Sequence, residues 1–252
     1  METKQKFAVI ISMFLGIFLV FSSSCENEDD NEPLPDNTTN GKTTAVFNTN
    51  VTYGIMTDQD SNVYKTVTIG TQTWMAENLR TTKYNDGTPI PHVINNDEWI
   101  ALTTGAYCNI KNITIPDTIA TYGLLYNWYA VNTEKLAPEG WHIPSDEEWT
   151  TLATYLGGES IAGNKLKEFG TMHWTSPNPG ATNETGFTAL PGGYRNETNG
   201  AFEGIGLNGI WWSKTEIDTD YAWYRFIHYN NSDFLRYHYV KEYGLSVRCV
   251  KD

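Results

Sequence analysis

Apolar and polar positions divide the chain into three stretches of different texture. Phe7 to Phe21 is an apolar segment of about fifteen residues, preceded by Lys4 and Lys6. Ser22, Ser23, Ser24 and Cys25 follow, then the acidic run Glu26-Asn27-Glu28-Asp29-Asp30-Asn31-Glu32. Up to about residue 52 no apolar periodicity is visible, and the composition of Asn, Thr, Pro and acids predicts a disordered tether over 25–52. Beyond it the pattern becomes that of a folded domain. Tyr64 to Ile69 and Thr71 to Trp74 alternate like two short strands about Gly70. Asn96 to Trp99 can open a short helix. Leu124, Leu125, Trp128 and Val131 recur near helical spacing, which predicts a helix over Tyr122 to Asn132.

The clearest local signal is Gly140-Trp141-His142-Ile143-Pro144-Ser145-Asp146-Glu147-Glu148-Trp149. Ser145 with Glu148 three residues on is a capping box. Trp149, Leu152, Ala153 and Leu156 then form one apolar stripe, and Gly157-Gly158 supplies the stop. The acids of the first turn sit where a helix N-terminus favours negative charge, which accounts for them without catalysis. Beyond residue 170 helix patterns thin out. Leu190 to Arg195 and Gly206 to Ser213 have the texture of loops joining short strands. Ala222 to Tyr229 and Phe234 to Val240 predict a hairpin about Asn230-Asn231-Ser232-Asp233, and Ser246 to Val250 a final strand.

The N-terminal block sets an address. A lysine-bearing start and a short apolar core have signal-peptide proportions, and the apolar stretch is short for a spanning helix. The serines before Cys25 resemble the lipobox of bacterial lipoproteins, although an aliphatic residue is usual where Ser22 stands. That resemblance implies cleavage after residue 24, a lipid on Cys25 and a membrane tether through it. An ordinary secretory signal and an uncleaved anchor are the alternatives. The acidic run resembles the signal that sends lipoproteins of the Bacteroidota to the outer face of the outer membrane; otherwise it is a solvated spacer.

Charge narrows the partners. The full chain carries −13, and removal of residues 1–24 brings it to about −14, which disfavours nucleic acid phosphates and anionic lipid. Nine tryptophans and fifteen tyrosines fit either an aromatic contact surface or aromatic packing. With Cys25 lipidated, Cys108 and Cys249 remain, and an oxidising compartment allows a disulfide between them. Their spacing is not that of a zinc site. No metal and no cofactor are expected.

Ile69 to Leu79, Tyr122 to Val131, Gly140 to Trp149, Leu190 to Arg195 and Ser246 to Val250 together resemble the Fibrobacter succinogenes major paralogous domain, over roughly residues 53–252. The resemblance implies an α+β fold of the C-type-lectin-like class, in its formylglycine-generating-enzyme-like branch, with two or three short helices around small antiparallel sheets and long loops. Many members carry a cysteine where this chain has Ala137, so a bridge from that position to Cys249 is lost here. Cys249 is then either free or joined to Cys108.

Three functional classes are weighed on that fold. Formylglycine-generating chemistry needs two active-site thiols holding copper, and one of the two cysteines lies in the terminal strand. Calcium-dependent sugar binding needs clustered oxygen ligands. Ser176-Pro177-Asn178 lacks the acid of the lectin motif, and no Trp-Asn-Asp follows. His92, His142, His173, His228 and His238 have no acid or thiol partner visible in the sequence. Non-catalytic recognition rests on the C-terminal hairpin, whose mixture of rigid aromatics and adaptable polar groups is paratope chemistry. It resembles the diversified C-terminal region of variable proteins that share this fold. The expected ligand face comprises Trp212, Trp223, Arg225, His228, Tyr229, Asn230, Asn231, Arg236 and His238, and the expected ligand is an extracellular glycan or protein. The alternative is a structural envelope protein whose aromatics pack. Asp117-Thr118-Ile119 fits an O-glycosylation pattern of the Bacteroidota, with Thr118 as acceptor.

Overall fold

The computed structural model describes residues 37–252; the leader 1–24, Cys25 and the acidic run Glu26 to Glu32 lie outside the described residues. The domain is a mixed assembly of short helices and small antiparallel sheets. Its main sheet joins β1 (Gly54–Thr57), β2 (Val63–Ile69) and β3 (Gln72–Met75) in sequence order. Among the described residues no helix is long and apolar enough to cross a membrane.

Helix α1 (Asn96–Ile100) starts as its sequence predicts, with the Asn95 side chain accepting from the Glu98 N–H and Trp99 fully buried. Then come β4 (Tyr107–Asn109), a 3₁₀ turn at Ile110–Asn112, α2 (Pro116–Tyr122), β5 (Leu124–Tyr126) and α3 (Trp128–Val131). The single helix expected over Tyr122 to Asn132 is therefore a strand followed by one helical turn. Gly123 causes the break: its φ is +72°, and a Cβ there would lie 2.7 Å from the Leu79 carbonyl. Leu124 and Tyr126 donate their N–H groups to Leu79 and Leu245 carbonyls. A short apolar run buried on every side matches both templates, and neighbours decide between them.

β6 (Trp141–His142) leads into α4 (Asp146–Tyr155), where both hydrogen bonds of the Ser145–Glu148 capping box are present. Trp149, Leu152, Ala153 and Leu156 are all buried, so the stripe packs as its spacing predicts. After Gly157-Gly158 a further helix, α5 (Glu159–Leu166), begins at once. β7 (Tyr194–Arg195) pairs with β8 (Phe202–Glu203), and β9 (Asn208–Glu216), β10 (Tyr221–His228) and β11 (Leu235–Val240) form a second sheet with β10 at its centre. β12 (Val250–Lys251) joins the main sheet between β3 and β6.

Two further expectations change. Gly206 to Ser213 is mostly strand, because its adjacent Trp211 and Trp212 point to opposite faces. Trp211 donates to the Asn78 side chain and Trp212 to the Tyr126 carbonyl. The final strand is shorter than Ser246 to Val250, because Arg248 spends its length on carbonyls of Met75, Phe187 and Thr188 and on Asn78. Burial lowers that guanidinium to about 9.

Residues 37–52 do not behave as the tether that composition predicts. Asn37 and Thr39 bond to the Asn62 side chain, and Arg80 Nε donates to Thr39. Thr44 meets Thr121 and His173, and the Val46 N–H donates to Glu168 at 2.6 Å. Phe47 packs edge-on to Tyr53. The polar segment is ordered by hydrogen bonds that the rest of the domain supplies, a source invisible to apolar periodicity.

Nor is the allowed disulfide formed: Cys108 and Cys249 are both free and buried. Cys108 packs with Trp99, Ile110 and Leu125, whereas Cys249 belongs to a separate cluster with Met75, Ala137 and Val247. Burial pushes the Cys108 thiol up to about 12 and raises Cys249 as well.

Candidate functional site

The β9–β10–β11 sheet sorts the expected ligand residues by the two-residue period of its strands. Cross-strand pairs Trp223↔His238 and Arg225↔Arg236 share one face, and Tyr224↔Tyr237 lies on the other.

The first face turns toward α4 and α5. Arg236 reaches both oxygens of Asp146 with distances of 2.7 and 2.8 Å, and its guanidinium carbon lies 3.3 Å from the Trp223 ring centre. Arg225 bonds Glu159 and Thr150 and stands 3.8 Å from Asp146. Its side chain is only 1% exposed, so Arg225 is a brace between helices and sheet and cannot serve as the expected ligand contact. Trp212 is also withdrawn from the expected face, being fully buried beneath the sheet. Trp223 is half-buried, whereas Arg236 and His238 remain at the surface.

The turn carrying Tyr229, Asn230 and Asn231 is held by α5. Gly163 donates to the Ser232 carbonyl, Ser232 Oγ to the Ser160 carbonyl, and Phe234 N–H to the Glu159 carbonyl. Lys167 Nζ reaches the Asn231 carbonyl at 2.8 Å, and desolvation lowers its ammonium to about 8. A Cβ on Gly163 would lie 2.4 Å from the Asp233 carbonyl, so helix and turn meet backbone to backbone. His228 bonds Asn230 at 2.5 Å.

The second face holds what the sequence did not bring together. Tyr224, Phe226 and Tyr239 line a cleft of about 240 Å³ with Tyr194, Tyr243 and Asn208, floored by Ile210 and Leu245. Tyr194 stacks on Tyr243 with ring centres 5.3 Å apart, and Tyr239 meets Tyr243 at 4.3 Å. Tyr237 closes on Tyr224 and Phe226, each at 6.1 Å. Burial first, and then the neighbouring tyrosines, push the Tyr224 phenol up to about 12. Tyr194 is raised by burial and by the Glu203 carboxylate that accepts its proton at 2.7 Å. Tyr243 is raised by burial, by Tyr239 and by Glu197. Tyr194 comes from a segment far from the hairpin, whereas Tyr243 stands three residues beyond β11; the sequence signal for both was the tyrosine enrichment itself.

Other candidates fall into structural places. His142 bonds Glu148 and Asp252, each at 2.6 Å, so both ring nitrogens are occupied. Against burial, hydrogen bonds from Ser145 and His142 hold Glu148 below the usual carboxylate range. His173 pairs with buried Glu168, and His92 stacks on Tyr107. Thr118 sits half-buried in the first turn of α2. Among the described residues, no group of three or more His, Cys, Asp or Glu side chains is placed to hold a metal ion.

The model of the Fibrobacter succinogenes major domain matches residues 67–251. The chain belongs to that family. Comparison with curated proteins and with solved structures gives no match to either.

Proposed function

We propose that this member of the Fibrobacter succinogenes major domain family is an outer-membrane lipoprotein, anchored through Cys25 and facing the cell exterior. Its domain, a C-type-lectin-like scaffold of the formylglycine-generating-enzyme-like branch, recognises an extracellular glycan or protein without catalysis. The observation that carries this reading is the tyrosine cleft between β9–β11 and the segments of Tyr194 and Tyr243. Amphipathic rings on a rigid sheet offer large contact area at low conformational cost. The copper-thiol alternative has no support in the positions of Cys108 and Cys249, each buried in a different core cluster.

The rival reading, a structural envelope protein, draws on the tryptophans. Seven of the nine are fully buried, so packing explains them. The tyrosines are different, since Tyr221, Tyr237 and Tyr239 stay exposed. A glycan array and a host-protein screen decide between the two. A specific ligand is expected, lost by at least about tenfold in Tyr239→Ala and retained in Trp223→Ala. The reverse pattern would move the site to the arginine face, and the absence of any ligand would favour the structural reading. Cys25→Ala should release the protein from the outer membrane; unchanged fractionation would remove the anchor.

A further inference from the structure

The polar groups of the tyrosine cleft have a common character, because each presents an acceptor. The Tyr194 hydroxyl gives its proton to Glu203 at 2.7 Å, leaving the phenolic oxygen to accept. Tyr243 is engaged with Tyr239 and Glu197. Asn208 Oδ1, in the cleft lining, is buried with no hydrogen-bond partner. Glu197 Oε2, beside Tyr243, is buried and unpartnered as well. A buried acceptor without a donor costs about 1–3 kcal/mol, so a donor-bearing ligand would relieve it. No lysine or arginine lines the cleft among the described residues.

We propose that the cleft receives the ammonium end of a lysine side chain on a protein partner. The inference rests on the cleft being the recognition site and names its ligand chemistry. An ammonium carries three donors and no acceptor, which complements a lining of acceptors. Aromatic faces attract a cation through their quadrupole, and the carboxylates of Glu203 and Glu197 stand beside the Tyr194 and Tyr243 hydroxyls. The apolar floor of Ile210 and Leu245 suits the four-carbon stem of lysine. A sugar would turn instead to the donors of the same lining, the Tyr224 and Tyr239 hydroxyls and the Asn208 amide nitrogen, and the sugar arms of the test below register that outcome. The strongly acidic chain favours a basic partner in the same sense.

The test titrates the purified protein with Nα-acetyl-lysine methylamide, its Nε-acetylated counterpart, glucosamine and glucose, followed by NMR shifts of tyrosine rings. The lysine probe should bind at least about tenfold more tightly than the Nε-acetylated probe, because the cation–π and ionic terms vanish with the charge. Glu197→Gln should weaken it several-fold, and Asn208→Asp, which keeps the shape and adds a charge, should tighten it. Equal binding of the two lysine probes overturns the proposal, as does binding of neither. Tighter binding of glucosamine than of the lysine probe also overturns it, in favour of a cationic glycan. Tyr243→Ala keeps the two readings apart. If it abolishes a screened ligand while the lysine probe stays silent, the cleft stands and the lysine inference falls. If it spares that ligand, both fall.

Discussion

The two faces of the C-terminal hairpin are built from the same strands and place their polar groups in different surroundings. On one, the charges of Arg225 and Arg236 are matched by Asp146 and Glu159, with Arg225 Nε left as a buried orphan. On the other, tyrosines surround acceptors that have none. Saturated polar groups hold a structure together; a buried acceptor without a donor is a cost that a new donor would relieve. Residue type alone does not rank the faces, since arginine and tryptophan on one and tyrosine on the other are all markers of a contact surface. What separates them is bonding state.

The contrast predicts that buried, bonded residues carry stability on either face, Trp212 beneath the tyrosines included, and that open ones carry binding. The largest loss of stability should come from Trp212→Ala, about 4 kcal/mol, because the indole is fully buried and its N–H holds the Tyr126 carbonyl. Urea unfolding measures it, and a loss below about 1 kcal/mol would show that the sheet does not depend on this ring. Arg225→Ala follows at about 2 kcal/mol, less than the full cost of orphaning a buried charge because Glu159 is half open to water. Arg236→Ala, whose side chain is 37% exposed, should cost under about 1 kcal/mol. Equal losses at the two arginines would break the distinction between brace and surface pair. Ser145→Ala should cost about 1 kcal/mol through the lost cap of α4, and should loosen Asp146, which anchors both arginines.

How much of this was legible depended on whether the signal was local. The α4 capping box, its apolar stripe and the hairpin were readable because capping and strand alternation act within a few residues. The strand at Leu124–Tyr126 was not, since a buried apolar triplet takes its conformation from β4 and Leu245. Order in residues 37–52 comes from hydrogen bonds to Asn62, Arg80 and Glu168, which polar composition cannot announce. The sequence located the hairpin but mixed residues from its two faces, and it included Arg225 and Trp212, which are buried. Period-two alternation says that only half the residues can face outward, but the bulge near Ala222–Tyr224 and the packing of α4 and α5 decide which half. Tyr194 joins only through tertiary structure, whereas Tyr243 follows β11 by three residues.

The smallest effect tests the cleft without a ligand. The Tyr224 phenol ionises at about 12 in the folded chain against 10.0 in the unfolded one. A raised phenol binds its proton more tightly when folded, so its contribution to stability is fully present below pH 10 and is lost as pH rises toward 12. Tyr224→Phe has no such proton, and its stability should therefore fall less steeply over that window. The difference between wild type and Tyr224→Phe should shrink between pH 9 and pH 11 by something under about 1 kcal/mol, given that the ring is partly solvated. Urea unfolding at both pH values measures it. Parallel pH profiles for wild type and Tyr224→Phe would mean that this phenol is as well hydrated as an unfolded one. The cleft would then lack the low-dielectric wall that makes its acceptors and ring faces effective.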